Sequence, residues 1–581
     1  MQAKAKVLLI GAGTAQLLLA ACQDTTQSPQ LRPEAPATET PGGSSLAPLD
    51  LVYLCGNKFL ATNRTRSAVQ VEYRVAGTKE SGIMLLRAGP GGDPGHSETE
   101  LETKNKGIVE LYRDGERVAR RSNGDLPCGG PTVSAAVGAV GNEASVGKWS
   151  APFSWPVIAV HLHLLRNGKV LSWGKFLDAY IWAPGTQTFT AVPSPARIFC
   201  SGHSFLPDGQ LLVSGGHIDD YRGLATTTVF NPALTPAWSV KAPMAKGRWY
   251  PTVTALANGQ FVTVGGTDEN AMDVPTPEVW TGSSWRQLTT ASRSVAYYPR
   301  IFLAPNGSVF YAGEGQETYY LSTSGSGSWT WVATRRYGVR DYGSAVMYQP
   351  GKILYVGGGY TTNTAEVIDL NQPAPTWQWT NPMAYARRHS NATILPDGTV
   401  LVTGGTSGGS TFNDEASAVH AAELWNPTSG TWTTLASNSV PRVYHSTSLL
   451  LKDGRVLHTG SGDGAGGVNH YDAELFSPPY LFKGARPQLT QAPTTVYYGQ
   501  AFFAATPDPN VIARVTMVRL GSVTHAFDMN QRFNELAFTR VAGGLTISPP
   551  VDPNLAPPGQ YMLFILNANG VPSSGRLFRL R

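Results

Sequence analysis

The chain has 581 residues, room for several domains, and only 15% of them are charged, alongside 63 glycines and 42 prolines. Few charges and many turn formers exclude a helical bundle or coiled coil, because no long stretch carries a 3.5-residue apolar period. The net charge of +5 comes without a basic cluster long enough to grip nucleic acid, so no nucleic-acid partner is expected.

The first segment reads as an export signal. Lys4 and Lys6 precede a stretch from Val7 to Ala21 that is apolar or small and too short to span a bilayer. It ends in Leu19-Ala20-Ala21-Cys22, which resembles the bacterial lipobox. Residues 1–22 are therefore expected to be a signal peptide cut before Cys22, with a lipid on the Cys22 sulfur. That lipid would be the chain's one link to a membrane, on a bacterial cell surface. The other reading is an ordinary secretory signal and a released protein. Residues 23–49 are rich in Thr, Ser, Pro and Gln and read as a flexible linker.

Residues 50–130 alternate apolar and polar side chains, as in Val69-Gln70-Val71-Glu72-Tyr73-Arg74-Val75. That is the period of half-buried strands and predicts a small β-sandwich. Cys55 and Cys128 bracket it, and export permits them to form a disulfide. Cys200 is then the odd cysteine, either a reactive or modified thiol or a small buried hydrophobe.

From 150 to 477 the sequence repeats. The unit is an apolar run, a turn ending in Gly, a second apolar run, and Gly-Gly or a variant, as in His203-Ser-Phe-Leu-Pro-Asp-Gly-Gln-Leu-Leu-Val-Ser-Gly-Gly216. Asp-Gly and Asn-Gly between apolar runs are hairpin turns, because Gly accepts the positive φ they need. The turn glycines are Gly168, Gly209, Gly259, Gly307, Gly351, Gly398 and Gly454. Units of roughly 50 residues match the kelch period. The expected fold is all-β, a seven-bladed kelch β-propeller. Residues 478–581 carry short strands with Pro and Gly turns and read as an immunoglobulin-like sandwich.

The register of the repeat locates chemistry. Nine residues before each turn glycine stand Ala159, Cys200, Tyr250, Tyr298, Tyr342, His389 and His445, with Tyr444 beside the last. Equivalent positions in a propeller form a ring at one end of its axis. A ring of thiol, phenol and imidazole groups is a candidate metal or redox site, or else a set of aromatics lining a channel.

Four segments in order make a specific match: Arg197-Ile-Phe-Cys-Ser-Gly202, Met244-Ala-Lys-Gly-Arg-Trp-Tyr-Pro251, Arg442-Val-Tyr-His-Ser446 and Val523-Thr-His-Ala526. With the kelch units they resemble the copper radical oxidase family, which contains galactose oxidase and glyoxal oxidase. Arg248-Trp249-Tyr250-Pro251 and Gln531-Arg532 look closer to the glyoxal oxidase branch. The resemblance covers roughly 150–581 and makes the C-terminal sandwich an early-set domain. It implies that His445 and His525 are equatorial copper ligands through imidazole nitrogen, Tyr250 the equatorial phenolate and Tyr444 the axial one. It further implies that Cys200 is joined to Tyr250 by a thioether, giving a protein-derived tyrosyl radical. Cu(II) favours such tetragonal N and O ligation. The implied reaction takes an alcohol to an aldehyde, or a hydrated aldehyde to an acid, with dioxygen reduced to hydrogen peroxide. Its partners would be a small substrate and O2, and the protein is expected to be a monomer.

One departure bears on the substrate. In galactose-oxidising members a Trp after Gly-Gly-Ser stacks over the thioether, whereas here Asp268 follows Gly265-Gly266-Thr267. That argues against galactose and leaves open what shields the ring. Asp268, Arg336, Arg340 and His389 are candidate substrate contacts, since all lie near ring positions. The remaining histidines, including His161, His163, His203, His217 and His458, are read as structural. Two other classes compete. A non-catalytic surface propeller binding glycan or protein would leave Cys200 and Tyr250 unlinked. A polysaccharide hydrolase would need paired carboxylates in the channel, and the ring positions hold none.

Overall fold

The computed structural model describes residues 49–55, 58–63, 68–86, 97–105, 108–122, 142–359, 361–408, 412–464 and 467–581. The signal segment, Cys22, the linker as far as residue 48, and the Cys55–Cys128 pairing lie outside the described residues. The chain divides into two compact units, one within 26–140 and one that includes 141–581.

In the first unit Leu49–Cys55, Lys58–Asn63 and Ser97–Glu102 form one antiparallel sheet. Ser81–Leu86, Val69–Val75, Ile108–Arg113 and Glu116–Ser122 form a second. Leu49, Ala61 and Leu101 from the first share a core with Val69, Val71, Val75, Val109 and Leu111 from the second. The alternation read along Val69–Val75 is the one that sends every other side chain into this core.

In the second unit, among the described residues, seven antiparallel sheets of four or more strands follow one another from 148 to 477. Their innermost propeller strands begin at His161, Gly202, Thr252, Ile301, Ser344, Asn391 and Ser446. These strands are buried almost throughout, so they read as continuous runs rather than alternations. The last sheet takes its outer strands Lys148–Trp149 and Phe153–Ser154 from the segment leading into the first, which ties the two ends of the series together. All seven turn glycines have φ between 76° and 85°.

The Gly-Gly steps have a steric cause. A Cβ on Gly215 would lie 2.3 Å from the Arg248 carbonyl oxygen, and one on Gly357 2.5 Å from that of Arg387. The chain entering the next sheet passes there, and only glycine leaves room for it. The same crossing carries a buried arginine. Arg248, Arg340 and Arg387 each donate to a Gly-Gly carbonyl of their own sheet, at Gly265, Gly357 and Gly404, and Arg442 donates to the equivalent Gly460 carbonyl, where Ser461 replaces the second glycine. Each also pairs with an acid on the third strand: Glu278, Glu366, Glu423, and Asp472 with Glu474.

The C-terminal part packs a five-stranded sheet, built around Ile512–Arg519 and Gly559–Asn567, against Phe502–Ala505, Gly544–Ile547 and Phe538–Val541. From it the hairpin Ser522–Thr524 and Phe527–Asp528 reaches out and extends the first propeller sheet on its inner edge, pairing His161 with Thr524 and His163 with Ser522. Asp528 braces the hairpin, its Oδ1 accepting the N–H groups of Ser522, Asn530 and Gln531.

Candidate metal centre

Six of the seven residues picked by the register share one backbone signature. Cys200, Tyr250, Tyr298, Tyr342, His389 and His445 have φ between 45° and 69°, and so does His525 at the hairpin tip. Bulky residues rarely adopt the left-handed region, and such strain gathers at functional sites. Ala159 is the exception. The ring is also laced through its main chain. Tyr250 N–H donates to the Cys200 carbonyl at 2.8 Å, Tyr298 N–H to Tyr250, and His389 N–H to Tyr342. The register thus holds even at Gly351, where an offset of one would have displaced Tyr342.

Two phenols and two imidazoles converge inside this ring. The Tyr250 and Tyr444 hydroxyls are 2.5 Å apart, and His525 Nε2 lies 2.9 Å from the Tyr250 hydroxyl. The His445 and His525 rings are 4.5 Å apart. All four side chains are buried. His445 Nδ1 meets the Gly462 carbonyl at 2.6 Å, and a carbonyl can only accept, so the proton sits on Nδ1 and Nε2 presents a lone pair. Among the described residues, that buried Nε2 has no hydrogen-bond partner. The Thr524 hydroxyl holds His525 Nδ1 at 2.6 Å, which turns Nε2 toward Tyr250. Burial drives both imidazoles down, His445 to about 3, so both are neutral at ordinary pH. An N2O2 donor set with an orphaned imidazole nitrogen fits a Cu(II) ion. Cys200 sits fully buried in the same cluster as Tyr250, Trp249 and Tyr298.

The residue that covers the ring is Trp249. Its indole lies on Tyr250 with centroids 3.6 Å apart and planes 8° from parallel. The indole N–H donates to His217 Nδ1 at 3.3 Å, so His217 is tied to the centre. Tyr297 closes the edge, 5.2 Å from Trp249 and 5.7 Å from Tyr250. Trp249 stands in the Arg-Trp-Tyr-Pro motif, but its stacking cannot be read from the string. Tyr444 and His445 show the same local geometry, stacked at 3.8 Å. In both pairs the second residue is left-handed, and the signal is an aromatic just before a ring position.

The weaker assignments divide. His389 joins the wall of the site: its ring is 5.3 Å from Tyr444 and 4.9 Å from Tyr342, and its Nε2 meets the Phe412 carbonyl at 2.8 Å. Phe412, 4.8 Å from Tyr444, was not foreseen. Arg340 is not a substrate contact, because its guanidinium is buried on Glu366 and on the Gly357 carbonyl. Arg336 turns outward to the Trp377 carbonyl and Gln378. Asp268 caps its own loop, accepting the N–H groups of Asn270 and Met272. Those hydrogen bonds hold its carboxyl below the usual range against the opposing effect of desolvation.

Comparison with known proteins adds a second line. Residues 343–478 match the glyoxal oxidase N-terminus family and 486–580 the galactose oxidase-like early set domain. A galactose oxidase of Gibberella zeae is 30% identical over 493 residues, covering 75% of this chain and 71% of its own. The aldehyde oxidase GLOX of Vitis pseudoreticulata is 29% identical, covering 66% of this chain and 82% of its own. A solved fungal alcohol oxidase of the AA5 family, in complex with copper, superposes with a TM-score of 0.69 at 27% identity, covering 75% of this chain and 100% of its own.

Proposed function

The chain belongs to the family of copper radical oxidases that contains galactose oxidase and glyoxal oxidase, and from that premise we propose that it oxidises small aldehydes, as their hydrates, or primary alcohols with dioxygen. The cofactor is copper with a Cys–Tyr radical. The observation that carries the residue assignment is the convergence of Tyr250, Tyr444, His445 and His525 with an orphaned imidazole nitrogen among them. Those four hold the metal, and Cys200 is the thioether partner of Tyr250. When bound, copper supplies one of the two one-electron stores that a two-electron oxidation needs, and the sulfur-substituted phenol supplies the other.

The chain's own groups do the rest. Tyr444 takes the proton of the substrate hydroxyl as general base. The Tyr250 phenolic oxygen takes a hydrogen atom from the carbon bearing that hydroxyl. Trp249 covers the Tyr250 face and keeps water off it, while His389, Tyr342 and Phe412 wall the Tyr444 side. In sum, the substrate loses two hydrogens, and dioxygen receives them as hydrogen peroxide. The preference for aldehydes over galactose is supported by the glyoxal oxidase match and by Trp249 standing in for the tryptophan missing at Asp268.

Copper loading in air followed by peptide mass analysis tests the residues. The peptides of Cys200 and Tyr250 are expected joined and lighter by two hydrogens, and separate peptides with an alkylatable Cys200 would refute the assignment. A peroxide assay tests the substrate: small aldehydes are expected to exceed galactose by at least about tenfold in kcat/KM, a difference of about 1.4 kcal/mol. Export is part of the proposal, with a lipid on Cys22. It rests on the leader residues alone, because the relatives named above are fungal and plant proteins. Cys22→Ala should release the chain into the medium.

A further inference from the structure

Three histidines beneath the ring, read from the sequence as structural, form a directed hydrogen-bond chain. It starts at the amide of Cys200, whose N–H donates to His161 Nε2 at 3.2 Å. An amide can only donate here, so Nε2 carries the lone pair and Nδ1 of the neutral ring carries the proton. His161 Nδ1 therefore donates to His203 Nε2 at 3.0 Å. By the same logic His203 Nδ1 donates to Ser522 Oγ at 2.7 Å. The Ser522 hydroxyl faces His163 Nδ1 at 2.9 Å and the His203 carbonyl at 3.5 Å. One amide thus sets the protons of His161 and His203 along a chain of buried groups that ends on Ser522. Burial holds all three rings neutral, and a second proton on His161 or His203 would place two donors face to face.

What the chain joins matters more than its length. One end is Cys200, the thioether partner. The other is Ser522, on the hairpin whose tip is His525. Between them lie the inner strands of the first and second propeller sheets. The His161 ring is pinned on Trp173, 4.9 Å away and 14° from parallel, and sits 6.2 Å from His525. The left-handed backbone of Cys200 is thereby gripped on both sides: its amide by His161, its carbonyl by the Tyr250 amide.

We infer that His161 and His203 are positioning residues for assembly of the cofactor: with Ser522 they hold Cys200 and the His525 hairpin in the mutual placement that thioether formation requires. The inference rests on the functional reading above. In that step the Sγ–H bond and one ring C–H bond of Tyr250 break, one S–C bond forms, and two protons and two electrons pass to one dioxygen as hydrogen peroxide. The histidines take no part in the electron count.

The test is the rate of thioether formation after copper is added in air to purified apoprotein, followed by loss of alkylatable Cys200 and by peptide mass. His161→Phe keeps a flat ring on Trp173 but loses both nitrogens, and is expected to slow the step about tenfold or more, the scale of one buried hydrogen bond. His161→Gln offers a carbonyl near the place of Nε2 and should recover most of that loss. Ser522→Ala cuts the far end and should slow the step by about threefold or more, with His161 untouched. Thermal melting of each apoprotein shows which variants are folded, and the Gln and Ser522 variants carry the test if the Phe variant is not. Folded variants that join the residues at the wild-type rate would overturn the inference. So would equal slowing in His161→Phe and His161→Gln, since packing alone would then explain it. A wild-type chain that never joins them would overturn the functional reading itself, and this inference with it.

Discussion

Two neighbouring positions, two or three residues apart in four of the sheets, behave in opposite ways. At the first stand Arg248, Arg340, Arg387 and Arg442, the same residue doing the same thing: a buried guanidinium held by a glycine carbonyl and an acid on the third strand. At the second, the ring position, stand Tyr250, Tyr342, His389 and His445. There the left-handed backbone is shared but the side chain is not. Four sheets keep the same staple because they solve the same packing problem. They vary the neighbour because the ring faces one centre, where each side chain has a different task. Sameness across sheets marks the scaffold, and difference at a shared backbone geometry marks the chemistry.

The comparison can be broken most directly at the ring. Cys200→Ser and Tyr250→Phe should each lower oxidase activity on the order of a thousandfold or more, as removal of a group acting in the chemical step does. Urea unfolding of the same variants should shift by no more than about 2 kcal/mol, the range of a conservative buried substitution. The staple should answer the other way. Arg340→Ala leaves Glu366 buried without its partner and should cost about 3–5 kcal/mol in urea unfolding. The folded fraction should keep kcat/KM within about threefold, a change under 1 kcal/mol. A large loss of kcat/KM in well-folded Arg340→Ala would restore it as a substrate contact.

Trp249 sharpens the boundary between the two roles. Trp249→Phe should still form the thioether, yet its radical absorption should decay about two- to tenfold faster, the scale of one aromatic stacking contact. The histidines off the ring give a pH test. Burial holds His203 and His458 at about 3, against about 6.5 in an unfolded chain. The unfolded chain then binds protons that the folded chain refuses. Stability is full above about pH 6.5 and falls as pH drops toward 3, by about 1.4 kcal/mol per pH unit for each such histidine. Urea midpoints of the apoprotein at pH 7, 6 and 5 should fall steadily, and a flat profile would contradict this. The smallest effect is expected at Asp268→Asn, with stability lower by about 1 kcal/mol or less and kcat/KM little changed, because the side chain serves its own loop.

Much of the fold and the centre was legible in the sequence for one reason: both are written in period. Turn glycines must be glycines because the backbone there is left-handed, so seven of them display the series of sheets. The ring follows by counting from them, and it led to Cys200, Tyr250, Tyr298, Tyr342, His389 and His445 with no slip. The errors came where period was absent. Arg336 and Arg340 are near the ring in sequence, but a side chain as long as arginine can reach inward or outward, and only the burial of Glu366 decides which. Asp268 occupied the expected place of a stacking ring, and the sequence offered no sign that the cover would come from the residue just before Tyr250.

By itself, then, the sequence determined the all-β architecture, the register of the ring and the identity of the groups that meet there, since these depend on local backbone conformation repeated at a fixed interval. Only the tertiary structure decided that the Ser522–Asp528 hairpin completes the first sheet and delivers His525 to the ring. It alone showed that Trp249 stacks on Tyr250 and that His161 and His203 link the Cys200 amide to Ser522 by hydrogen bonds. These contacts join residues as far as 363 positions apart, from His161 to Thr524. Which nitrogen faces which hydroxyl at that range is set by how sheets close on one another, a property of the packed whole and of no single segment.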